Sequence, residues 1–114
     1  MKEADFSRWV TACAEMCGWR CLHVPAPMRH SRTTGWVGAR EAAGLPDLLL
    51  IHHDPPRIVF AELKSSNGRL SDQQRDVLRA LRDAADGDER VGVYVWQPGL
   101  EQAIEDLLRS KVLT

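Results

Sequence analysis

Two apolar runs of strand length dominate the pattern of hydrophobic and polar positions along the chain. They cover residues 44–51 and 57–64, and turn-forming residues bound each of them. The five residues between the runs are too few for a helical crossover, so the pattern predicts an antiparallel hairpin. A loop centred on positions 54 and 55 would pair Ile51 with Ile58, His52 with Arg57, and Asp47 with Glu62. A register shifted by about one residue is the alternative.

Apolar positions spaced by three and four residues predict three helices around this hairpin. The first runs from Glu3 to about Cys17, where Gly18 ends it, and its buried stripe contains Phe6, Trp9, Val10, Cys13 and Cys17. The second follows an N-cap at Ser71 and is expected to bury Val77, Leu78, Leu81 and Ala84. The last is expected to bury Leu100, Ala103, Ile104, Leu107 and Leu108.

Two further strands complete the predicted sheet. One covers residues 19–24, and the other covers residues 91–96. The second of these follows the hairpin through a helix, so it should lie parallel to the 57–64 strand with a right-handed crossover. The order helix, strand, strand, strand, helix, strand, helix predicts an α/β fold with a mixed central sheet and helices on both faces. A chain of 114 residues is long enough for one such domain, covering residues 1–114.

Composition agrees with a globular protein and excludes some function classes. The charged fraction of 27% and the apolar fraction of 44% are those of a folded domain, not of a disordered chain. A net charge of −1 argues against strong nonspecific coating of DNA, although a local basic surface is compatible with it. No apolar run approaches the roughly 18 residues of a membrane span. The first residues lack the apolar core of a signal peptide, so we expect a cytoplasmic protein.

Three cysteines, Cys13, Cys17 and Cys21, cluster near the start of the chain. Cys13 and Cys17 share a helix face, which indicates buried thiols in a reducing compartment. A metal or iron–sulfur role is the less favoured alternative, because no fourth ligand is evident.

Three charged side chains converge at one end of the otherwise apolar hairpin. Glu62 and Lys64 project to the same face of their strand, and Asp47 opposite Glu62 would share that face. Two carboxylates so close repel each other unless a hard cation lies between them, and oxygen ligands favour Mg²⁺ or Mn²⁺ over Zn²⁺. Such an ion could polarise a phosphoryl group while Lys64 orients water. A strand-end salt bridge between Lys64 and a carboxylate is the alternative interpretation.

Residues 25–43 show no convincing period and contain a basic group, namely Arg29, Arg32 and Arg40, together with Trp36. This composition suits contacts to phosphates, with Trp36 stacking on an unpaired base. A solvated loop with one tucked tryptophan is the alternative. A second basic group surrounds the helix after Ser71 and is interpreted mainly as a solvated face; it consists of Arg69, Arg75, Arg79 and Arg82.

Three further side chains have two interpretations each. Glu3, at the edge of the first helix's stripe, either points toward the sheet or is a favourable charge at the helix N-terminus. Gln74 either faces the charged end of the hairpin or closes a capping box with Ser71. His23 either faces a substrate or packs within its strand, and the packed interpretation is favoured.

The order of these motifs resembles a known enzyme family. Pro46-Asp47 followed by Glu62-Leu63-Lys64 resembles the signature of the PD-(D/E)xK nucleases. The continuation over residues 68–74, Gly-Arg-Leu-Ser-Asp-Gln-Gln, is similar to that of the VRR-NUC family of small, often phage-borne nucleases. The likeness extends from Glu3 to about Pro98 and implies a restriction-endonuclease-like αβββαβ core.

The resemblance also implies a metal-dependent DNA endonuclease in the cytoplasm of a bacterial or phage-infected cell. Asp47 and Glu62 would hold Mg²⁺ or Mn²⁺, with the backbone carbonyl of Leu63 as a further ligand, and Lys64 would position the attacking water. Glu3, acting through a water molecule, and Gln74 would complete the site.

Stand-alone relatives suggest branched DNA or four-way junctions as the substrate, and a homodimer as the assembly. The residues expected to contact nucleic acid are Arg29, Arg32, Trp36, Arg40 and Arg69. The alternatives are a nucleic-acid-binding accessory module without catalysis and a hydrolase of another phosphate ester.

Overall fold

The structure is a computed structural model that describes residues 2–24, 29–31, 35–37 and 43–113, with backbone alone for 29–31 and 35–37. Its elements in chain order are α1 (Glu3–Met16), β1 (Arg20–His23), β2 (Arg29–Ser31), β3 (Gly35–Val37), β4 (Leu48–His53), β5 (Pro56–Leu63), α2 (Asp72–Ala85), β6 (Val91–Trp96) and α3 (Glu101–Arg109). The main sheet has the order β1-β4-β5-β6. Its first two pairings are antiparallel and the β5–β6 pairing is parallel, which confirms the predicted mixed sheet.

The β4–β5 hairpin has the register expected from the sequence. Its ladder contains the two predicted pairs nearest the turn, Ile51 with Ile58 and His52 with Arg57. At the far end the ladder reaches Leu48 and Ala61. Asp47 and Glu62 are the next residues on the two strands, so the alternation of side chains places them on one face of the sheet.

The main hydrophobic core lies between the sheet and the helices α1 and α3. It is formed by Phe6, Val10, Cys13, Ala14, Trp19, Leu48, Leu50, Val59, Ala61, Leu63, Trp96, Ile104, Leu108 and Leu113. The indole N–H of Trp19 donates to the carbonyl of Leu108 at 2.9 Å, which fixes the start of β1 against α3. Helix α2 covers the opposite face near β6, where Leu78 and Val93 are buried. The helices therefore occupy both faces, and the end of the hairpin lies between the two layers.

The buried helical stripes are narrower than the sequence predicts. Ala84, Leu100 and Ala103 are exposed, so their predicted burial is wrong. Ala84 and Ala103 lie about 75–100° round the helix from the middle of the buried stripe, given 100° per residue. Leu100 is the N-cap residue of α3 and therefore precedes its packed face. None of the helices among the described residues combines the length and the hydrophobicity of a membrane span.

The three cysteines are free thiols. Burial raises the pKa of Cys13 to about 11, and it also raises the pKa of Cys21 to about 11. Both thiols are therefore protonated near neutral pH. Of the two cysteines expected to be buried on the face of α1, Cys13 is buried and Cys17 is only half-buried.

The region without a sequence period contains a second, two-stranded sheet. Strands β2 and β3 pair antiparallel, with Arg29 opposite Val37 and His30 opposite Trp36. Each strand has three residues, which is too short for an alternating pattern to be visible in the sequence. Arg32 and Arg40 lie outside the described residues, so the nucleic-acid contacts expected of this region remain predictions.

Candidate active site

Asp47 precedes β4, where hydrogen bonds connect it to two other segments of the chain. Its carbonyl accepts the N–H of Val24 at 2.9 Å, and its carboxylate Oδ2 accepts the N–H of Leu63 at 2.8 Å. The preceding residue, Pro46, is buried, but the Asp47 side chain is exposed. The carboxylate is thus held against the end of β5 while remaining open to solvent.

Glu62, near the end of β5, is almost completely buried, with 2% of its surface exposed. Its Oε2 accepts a hydrogen bond from Gln74 Nε2 at 2.7 Å and lies 3.2 Å from Lys64 Nζ. Its Oε1 is also buried and has no hydrogen-bond partner among the described residues. A buried carboxylate oxygen without a partner costs free energy, so this atom requires a proton or a cation.

The protonation of Glu62 reflects this environment. Its pKa is raised from 4.5 to about 7, first by burial, then by the negative charge of Asp47 and by a hydrogen bond between the two carboxyl groups. Lys64 opposes these effects through its hydrogen bond and its positive charge. With both carboxyl groups ionised, no proton is available for that bond, because a carboxylate can only accept. The pair therefore retains a proton near neutral pH unless a cation replaces it.

We expect the metal-free protein to lose stability as the pH rises from about 4.3 through about 7. The folded-state pKa of Glu62 is about 7, whereas that of an unfolded glutamate is about 4.3. The folded protein therefore binds this proton more tightly than the unfolded chain does. The resulting stabilisation is complete below pH 4.3 and disappears as Glu62 ionises.

Denaturant unfolding between pH 5 and pH 8, in the presence of a chelator, measures this pH dependence. Glu62→Gln cannot ionise at this position and should show a flatter pH profile than the wild type. Glu89→Gln, at an exposed glutamate, should retain the wild-type profile and is the matched control. Identical profiles for Glu62→Gln and the wild type would contradict the raised pKa.

Gln74 satisfies both of its predicted roles at once. Its Oε1 accepts the N–H of Ser71 at 2.8 Å, and its own N–H donates to Ser71 Oγ at 3.1 Å, which completes the capping box of α2. Its Nε2 is then directed at Glu62. The cap therefore fixes the orientation of the amide that holds one oxygen of the buried carboxylate.

Lys64 extends the ladder one residue beyond β5, because its N–H donates to the carbonyl of Trp96 at 3.0 Å. Its side chain lies on the face of Glu62 and is 18% exposed. The salt bridge proposed as the alternative from the sequence is therefore present. Its ammonium has three donors, of which one is needed for Glu62, so the contact is compatible with a second role.

A cavity of about 350 Å³ lies beside Asp47. Glu3 and Ser7 from α1, together with His23 from the end of β1, line it alongside Asp47. Glu3 is exposed and reaches this region from the first turn of its helix. His23 is exposed too, so the favoured packed interpretation of this residue is wrong. The sequence had indicated Glu3 and Asp47 as site residues, whereas Ser7 was not predicted to lie here.

The donor atoms of this site fit a hard divalent cation. Within the described residues, no group of three or more His, Cys, Asp or Glu side chains is placed to hold a metal ion. Asp47 and Glu62 form a pair of carboxylates instead, and Glu62 Oε1 is buried without a hydrogen-bond partner among those residues. An ion shared by two carboxylates would satisfy this oxygen and remove their mutual repulsion.

Of the residues predicted to contact nucleic acid, Arg69 is exposed, three positions before α2. The backbone of Arg29 and Trp36 is described as part of β2 and β3. Asp47, Glu62, Lys64 and Gln74 are thus brought together, and Glu3 shares a cavity with Asp47.

Comparisons with known proteins show the family to which this chain belongs. The family model of the VRR-NUC domain matches residues 4–96. A solved structure titled "VRR_NUC domain" superposes with a TM-score of 0.63, covering 96% of each chain at 17% sequence identity, and this likeness shows the fold. A search of curated proteins found no match. The matched range contains the carboxylate pair, Lys64 and Gln74, and it begins one residue after Glu3. The chain therefore belongs to the VRR-NUC family, a family of nuclease-type domains that act on DNA and in general use divalent metal.

Proposed function

We propose that the protein is an Mg²⁺- or Mn²⁺-dependent endonuclease that hydrolyses phosphodiester bonds of DNA at the site formed by Asp47, Glu62 and Lys64. The observation that carries this proposal is the buried carboxylate of Glu62. One of its oxygens is held by Gln74 and Lys64, and the other is buried without a hydrogen-bond partner among the described residues. An ionised carboxylate in this arrangement is costly unless a cation binds to it.

Asp47, Glu62 and the backbone carbonyl of Leu63 would hold the cation, and Glu3 would complete the acidic cluster through a water molecule. When bound, the ion supplies Lewis-acid stabilisation of the phosphoryl group and favours ionisation of water. The hydrogen bond from the Leu63 N–H to Asp47 Oδ2 restrains the Asp47 carboxylate at the end of β5. Gln74 in turn restrains Glu62 through Oε2.

Lys64 would act on the reacting atoms. Hydrolysis adds water across one P–O bond, so the water loses a proton, negative charge develops on the phosphoryl oxygens, and the departing oxygen gains a proton. The Lys64 ammonium is 3.2 Å from Glu62 and partly exposed, so its remaining donors can orient the water or offset this developing charge. The positive charge of Lys64, held in a partly buried site, stabilises this developing charge more strongly than a positive charge in bulk water would.

We propose branched DNA, including four-way junctions, as the preferred substrate, and a homodimer as the working assembly. Symmetric cutting of two strands requires two active sites related by a two-fold axis. Support for both comes from the family resemblance. Contacts to the DNA are assigned to Arg69 and, from the region of β2 and β3, to Arg29, Arg32, Trp36 and Arg40.

A cleavage panel tests the proposed function. The protein is incubated with single-stranded, duplex, flap and four-way DNA, with Mg²⁺, with Mn²⁺ or with a chelator. We expect cleavage with either metal, strongest on four-way DNA, and none with the chelator. DNA that is bound but uncut under every metal condition would instead identify an accessory module, in which the Lys64–Glu62 pair is structural.

A further inference from the structure

One flank of α2 carries three exposed arginines, Arg75, Arg79 and Arg82. Their spacing of four and three residues places them within about 60° of one another round the helix. Together with Leu70 and Leu78 they line a cavity of about 340 Å³. Leu70 and Leu78 contribute the apolar part of its lining, and the three arginines contribute the cationic part. A cationic groove with an apolar floor is suited to the phosphate and sugar of a nucleic-acid backbone.

The present contacts of these arginines leave most of their donors available. Arg75 lies 3.3 Å from Asp72 in an exposed pair, and Arg82 Nε donates to the carbonyl of Val93 at 3.4 Å. Each guanidinium has five N–H donors, and an exposed ion pair contributes little free energy. Exchange of Asp72 for a phosphate oxygen at Arg75 therefore has a small cost.

The acidic residues of α2 lie mainly on a different flank. Asp72, Asp76 and Asp83 are exposed and face the next sector of the helix, although Asp83 also reaches the groove. These aspartates bring the net charge of α2 close to zero. Because the positive and negative side chains lie mainly on different flanks, one flank is nevertheless cationic. The near-zero net charge of the whole chain is thus compatible with a directional phosphate surface.

The position of this flank relative to the active site indicates its partner. Arg75 directly follows Gln74, which is bonded to Glu62. From Arg75 the row continues for seven residues, about 10.5 Å of helix, which is long enough to reach more than one phosphate of a DNA strand. We propose that Arg75, Arg79 and Arg82 form a contact surface for the DNA backbone that leads away from the cut phosphodiester. This inference rests on the proposed function and extends it to the residues that hold the substrate.

Salt-dependent binding tests the proposal. Labelled four-way DNA is titrated with the full chain carrying Lys64→Ala, to prevent cleavage, with and without the substitutions Arg75→Ala, Arg79→Ala and Arg82→Ala. The three substitutions should reduce the slope of log affinity against log salt by about 1 for each arginine and weaken binding roughly 10- to 100-fold at 0.1 M salt. The corresponding lysine variant should largely retain the slope, because it retains the charges.

Arg109→Ala is the matched control. Arg109 is an exposed arginine that pairs with Glu105 at 3.6 Å on α3, and its removal should leave the slope unchanged. Equal slopes for the triple alanine variant and the Arg109 variant would overturn the proposed contact surface and leave the nuclease function standing. Arginine-dependent binding, combined with wild-type protein that cuts no DNA with either metal, would overturn the nuclease function and support the contact surface.

Discussion

Replacing Lys64 by alanine is expected to lower the rate of DNA cleavage by about 100- to 1,000-fold. The ammonium lies 3.2 Å from the buried Glu62 and is only 18% exposed, so water replaces its charge poorly. Single-turnover cleavage of four-way DNA with saturating metal measures the effect on the chemical step. Because Lys64 also lowers the pKa of Glu62, the metal-free variant should hold the proton of Glu62 to a higher pH than the wild type does.

Lys111→Ala is the control for the loss of one positive charge. Lys111 is exposed near the end of the chain, beyond α3, and its removal should leave the cleavage rate within about twofold, as expected for a surface substitution. Cleavage that survives the Lys64 substitution at the wild-type rate would indicate a contaminating nuclease or a different active site.

Replacing Asp47 by asparagine is expected to lower cleavage by roughly 1,000-fold, because Lewis-acid stabilisation is worth several kcal/mol and each 1.36 kcal/mol is a factor of ten. The fold should remain intact, because the asparagine side-chain oxygen can still accept the N–H of Leu63. The pKa of Glu62 should fall, because the neighbouring negative charge is lost. Cleavage measures the first consequence, and denaturant unfolding of the same preparation over a range of pH measures the other two.

Asp47→Ala separates the catalytic effect from the structural one. It should lose cleavage as the asparagine variant does, but it also leaves the N–H of the buried Leu63 without its acceptor. That loss should reduce the free energy of unfolding by about 1–3 kcal/mol relative to the asparagine variant. Equal stability of the two variants would show that water replaces the acceptor, and wild-type cleavage by either would remove Asp47 from the catalytic site.

The position of the charged cluster was predictable because it depends on short-range rules. A five-residue connection forces a hairpin, and the alternation of side chains then places Asp47 and Glu62 on one face. The capping box of α2 is likewise visible as Ser71 followed three residues later by Gln74. The sequence presented the cap and the site contact of Gln74 as alternatives, whereas the structure uses different atoms of one amide for each.

Properties that depend on the packing of distant segments were not predictable. Nearly complete burial of Glu62, and hence its raised pKa, requires α2 to be placed over that end of the sheet. His23 was expected to pack because histidine is often partly buried, but it lies exposed at the end of the edge strand β1. The cationic groove beside α2 also includes Leu70, which precedes the helix. Helical periodicity does not give the position of Leu70 relative to the helix, so the groove was not predictable.

Diffraction from a crystal of the wild-type protein grown with Mn²⁺, with anomalous scattering used to locate the metal, tests the central claim most directly. The account predicts a peak within coordination distance of carboxylate oxygens from both Asp47 and Glu62, next to the backbone carbonyl of Leu63. Crystals of Asp47→Asn under the same conditions should show this peak weakened or lost. A wild-type peak located elsewhere, or none at Mn²⁺ concentrations that support cleavage, would contradict the account.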